Sequence, residues 1–87
     1  MKHYASNEDF LHEFQNLILR IEKYGCKVAA DELREGISSL NGLTDGWAML
    51  LDSIEKVLHT YGGSISDGDS IDLGNMLETV RSMVFRN

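Results

Sequence analysis

The chain has 87 residues, 43% of them hydrophobic and 25% charged, and carries a formal net charge of −6. This composition is too apolar for a disordered chain, and its surplus of carboxylates opposes binding to nucleic acid or to an anionic membrane, both of which require a basic patch. The length allows one domain, residues 1–87, with one hydrophobic core and a total stability of roughly 4–13 kcal/mol.

No run of about 18 apolar residues is present, and the opening Met1–Asp9 stretch lacks the apolar centre of a signal peptide. A cytoplasmic location is the expectation. The single cysteine, Cys26, rules out an intramolecular disulfide and a multi-cysteine zinc site, which suits a reducing compartment.

Ser6 followed by Asp9 resembles a capping box, and Glu8 and Asp9 put negative charge where the dipole of a starting helix favours it. Phe10, Phe14, Leu17, Ile18 and Ile21 then recur at helical spacing, with Tyr24 near the same face and Gly25 as the stop. A first helix is predicted at about 7–24. Leu11 widens its apolar arc and Leu19 lies almost opposite, more apolar surface than one neighbour covers.

Ala29, Leu33, Ile37 and Leu40 share the next face, with Cys26 and Ala30 beside them, predicting a second helix at about 27–40. Gly36 in its interior marks either a close helix crossing or an early end. In the second case the core would have three helices.

The central helix, about 45–61, has the strongest signal. Trp47, Leu50, Leu51, Ile54, Val57, Leu58 and Tyr61 fall on one arc; Thr44 supplies a cap, Asp45 complements the dipole, and Gly62-Gly63 ends the run. Residues 64–70, rich in glycine, serine and aspartate, read as the longest connection. Leu73, Met76, Leu77, Val80, Met83 and Val84 then predict a fourth helix at about 70–85, with Gly74 as a weak spot near its start. With no strand pattern and no proline, the fold class expected is all-α, a small antiparallel four-helix bundle.

Chemistry-bearing patterns are few. Glu8 with His12 and Glu55 with His59 share helical faces as metal ligands do, yet the bundle topology places the two pairs at opposite ends, so surface pairing is the expectation. Asp67-Gly68-Asp69-Ser70-Ile71-Asp72 with Glu78 resembles part of a calcium loop, but Ile71 falls at a ligand position and Asp72 where the turn needs glycine. Capping explains those aspartates better. Cys26 at a helix start has no evident partner base. No catalytic residue, cofactor or metal site is therefore expected, and the chain reads as a non-enzyme.

The expected function is that of a small acidic interaction module, a stoichiometric binder or inhibitor of a basic protein, by analogy of class with immunity proteins and antitoxins. A homodimeric bundle with a structural or regulatory role is the alternative, and a small ligand- or metal-binding protein the third. In up-down-up-down order the starts of the second and fourth helices share one end, so Asp31, Glu32 and Glu35 should approach Asp67, Asp69 and Asp72 and outnumber the nearby Lys23 and Lys27. Ile65 and Ile71 would supply apolar adhesion there. Leu11, Leu19 and Trp47 form the second candidate face.

Overall fold

Each apolar stripe must bury itself against another, and in the computed structural model, which describes residues 7–24, 26–40 and 46–84, four helices do so. They are α1 (Asn7–Tyr24), α2 (Lys27–Ser38), α3 (Gly46–Tyr61) and α4 (Asp67–Val84); no strand occurs among the described residues. The caps expected from Ser6, Gly25, Thr44 and Asp45 lie outside the described residues. α1 packs on α2, α2 on α3, α3 on α4 and α4 back on α1, with α2–α3 the most extensive seam and α1–α4 the least.

Paired residues give the register. Arg34 meets Glu22, Lys56 meets Glu32, and Arg81 meets Glu55, while Gly36 lies against Ser53. Along α2 and α3 the pairs 32–56 and 36–53 nest, one number rising as the other falls, which is the pattern antiparallel neighbours produce.

The core contains Phe10, Phe14, Leu17, Ile18 and Ile21 of α1, Ala29, Ala30 and Leu33 of α2, Leu50, Leu51, Ile54 and Val57 of α3, and Leu73, Met76 and Val80 of α4. Each large side chain fully buried this way is worth about 1.5–3 kcal/mol over exposure. Phe10 joins two helices, its ring 5.7 Å from that of Phe14 and 5.9 Å from that of Trp47 in tilted contacts. Among the described residues no polar or charged side chain is buried, and none of their enclosed side-chain polar atoms lacks a partner.

Several boundaries and faces differ from the sequence expectation. α4 begins at Asp67, three residues earlier than expected, because Ser66 caps it: the Asp69 amide donates to Ser66 Oγ at 3.3 Å and the Ser70 amide to Ser66 O at 2.9 Å. The stretch that read as loop is thus partly the first turn of a helix. α2 stops at Ser38 and passes unbroken through Gly36, so the glycine marks a crossing rather than an end. Tyr24 is 71% exposed instead of completing the α1 core face. α1 is closed by the Cys26 amide, which donates to Ile21 O at 2.8 Å, the six-to-one bond of Schellman-type helix ends, and α2 opens with the Ala30 amide donating to Cys26 O at 3.1 Å.

Candidate functional site

Of the six carboxylates predicted to gather at one end, Asp31, Glu32, Asp69 and Asp72 are held by cations, and the α2 and α4 helices that carry them occupy diagonal corners with α1 and α3 between them. Asp69 and Asp72 are drawn to Arg20 of α1, Nε to Asp69 Oδ1 and Nη2 to Asp72 Oδ2, both at 3.2 Å. Asp31 is held by Lys27 at 3.0 Å and Arg34 at 3.2 Å. The Lys27 hydrogen bond, and after it the Arg34 one, keep its carboxyl below the ordinary 3.8. Arg34 also makes a two-pronged contact with Glu22, at 2.8 and 3.0 Å, which holds Glu22 below the ordinary 4.5 and pushes the guanidinium further up. Glu32 meets Lys56 at 2.8 Å and raises the ammonium.

The apolar residues assigned to that end divide. Ile65 is buried in the core, because the single 3₁₀ turn Gly62–Ser64 directs the chain inward before α4; it is not a docking residue. Ile71 is 66% exposed, on the side of α4 away from the core. On the second candidate face Leu11 and Trp47 are half-buried and pack on the core, whereas Leu19 is 56% exposed. A groove of about 340 Å³ runs beside Leu19 between α1 and α2, lined also by Gln15, Ile18, Arg34 and Ile37.

A different surface comes from the α2–α3 crossing. Gly36 lets the two helices approach until an added Cβ would lie 2.7 Å from Ser53 Cβ, so little separates their outer faces. Glu35 stands one residue before Gly36 and Asp52 one before Ser53, both exposed, on the outward flank of this seam. Among the described residues neither is in an ion pair, although Glu35 adds to the field that raises Lys56. Met49, 47% exposed, continues the stripe of Asp52, Ser53 and Lys56 one turn earlier. The sequence reading placed Glu35 in a candidate site but missed Asp52 and Met49. Their signal was Gly36 itself, since a close crossing puts the flanks of two helices on one continuous surface.

The Glu8/His12 and Glu55/His59 side chains are all exposed, and Glu55 is engaged by Arg81 at 3.3 Å. Among the described residues no group of three or more histidine, cysteine, aspartate or glutamate side chains is arranged to hold a metal ion. Cys26 is half-buried at the N-cap of α2 and its side chain makes no capping bond. Among the described residues no helix is long and apolar enough to cross a membrane. No protein-family model, curated protein or solved structure matches this chain.

Proposed function

We propose that the protein is a small, non-catalytic interaction module that binds a basic protein stoichiometrically through the outer face of α2 and α3. The observation that carries this reading is the pair Glu35 and Asp52, exposed carboxylates without an ion-pair partner among the described residues, beside the exposed thioether of Met49. Along α2 and α4, Asp31, Glu32, Asp69 and Asp72 are already answered by Arg20, Lys27, Arg34 or Lys56. Charge on a partner would therefore gain most at the α2–α3 face, and Met49 offers an adaptable apolar contact. The net charge of −6 would speed the encounter with a basic surface and make its rate fall with salt.

The test uses the wild type and Glu35→Lys/Asp52→Lys as baits in the native host, followed by association kinetics with whatever protein the wild type retains. The expected outcome is loss of capture by the variant and association about tenfold or more slower at low salt. Asp67→Asn/Asp69→Asn/Asp72→Asn should associate nearly as fast as wild type. A retained partner whose association is unchanged by the first variant and slowed by the second would return the site to the start of α4.

A further inference from the structure

We propose that α1 is also a self-association surface, on which a second copy of the chain lays its own α1 antiparallel across a two-fold axis. The surface is the stripe opposite the core: Glu8, His12, Gln15, Asn16, Leu19 and Lys23 lie within about 50° of one line along the helix, and all six are exposed. Leu19, 56% exposed, is the one apolar residue of the six, and the groove containing Ile18 and Ile37 borders the stripe at Gln15 and Leu19.

Charge selects the occupant. Elsewhere the chain's net charge of −6 sets copies against one another, but along this stripe the only formal charges at neutral pH are Glu8 near one end and Lys23 near the other. Among the lysines and arginines of the described residues, Lys23 alone meets no carboxylate; its ammonium sits 5.2 Å from the ring centroid of Tyr24. Placing the two-fold axis between Gln15 and Asn16 sets Glu8 of each copy opposite Lys23 of the other, and His12 opposite Leu19. A two-fold interface repeats every contact, so one sequence pattern supplies two ion pairs. A basic partner would meet Lys23 as a like charge, whereas a second copy meets it with Glu8. This surface is separate from the α2–α3 face and stands independently of the partner proposed there.

Sedimentation equilibrium between about 1 µM and about 1 mM reads the association. The wild type should pass from monomer to dimer across this range, and Leu19→Asp should stay monomeric with an unchanged far-UV circular dichroism spectrum. Glu8→Lys and Lys23→Glu should each weaken the dimer about tenfold, since each turns two attractive pairs repulsive. The double variant Glu8→Lys/Lys23→Glu should return to within about twofold of wild type. A wild type that is monomeric throughout, a Leu19→Asp protein that dimerises as tightly, or a double variant no better than the singles would each overturn the proposal.

Discussion

Replacing Gly36 by alanine tests the close α2–α3 crossing, because two effects of opposite sign act at one atom. Alanine in a helix interior is favoured over glycine by roughly 1 kcal/mol, so an unconstrained site would gain stability. At Gly36 the new Cβ would lie 2.7 Å from both Ser53 Cβ and Ser53 Oγ and 3.1 Å from Leu50 Cδ1. Ser53 Cβ is tied to the α3 backbone and cannot swing aside, so the helices must separate. Overpacking of this kind costs about 1–3 kcal/mol, to which the loosening of the buried Leu50 contributes. The net expectation is destabilisation of up to about 2 kcal/mol, and a melting temperature lower by as much as roughly 16 °C for a domain of this size. Urea denaturation followed by far-UV circular dichroism measures it, with a slope unchanged from wild type showing that the unfolded state is the same. Ser53→Gly in the Gly36→Ala background removes both 2.7 Å contacts, and a double-mutant cycle should give a favourable coupling of about 0.5 kcal/mol or more. A Gly36→Ala protein more stable than wild type, or a cycle with no coupling to Ser53, would refute the crossing.

Two further predictions use the same denaturation assay. Gly74→Ala is the converse case: nothing lies within 4 Å of an added Cβ inside α4, so stability should rise by about 0.5–1 kcal/mol, and a loss would place an unseen neighbour there. Glu22 and Asp31 are held below their ordinary values of 4.5 and 3.8 by Arg34 and Lys27, so their contribution is full above those values and is lost as the pH falls through the lower folded-state ones. Stability should therefore decline with acidification below about pH 4.5, and more shallowly in Glu22→Gln; equal slopes would refute the role of the Glu22–Arg34 fork.

The four helices and most of the core were legible in the sequence because both follow from a period of 3.6 residues, which is local. The apolar residues of the stripes Phe10 to Ile21, Leu50 to Val57 and Leu73 to Val80 recur at that spacing and are buried or packed on the core. Tyr24 shows the limit of the argument: it keeps the spacing, yet it comes at the end of α1 and is left exposed. The early start of α4 was also written locally, in Ser66 followed by Asp69, but glycine and aspartate around it outweighed the cap in a reading by composition.

What the sequence by itself determined is the helical class, the apolar stripes and the acidic balance. Only the tertiary structure decided which charges meet. Arg20 reaches residues 49 and 52 positions away, and Arg34 turns back to Glu22, because ion pairing depends on which helices are neighbours and at what register. Four of the six carboxylates of the acidic end expected from helix order are paired for that reason, and helices that start at the same end can still sit on a diagonal. Gly36 carried a hint of a crossing, but that it faces Ser53, and so brings Glu35, Asp52 and Met49 onto one surface, is fixed by packing between segments distant in sequence.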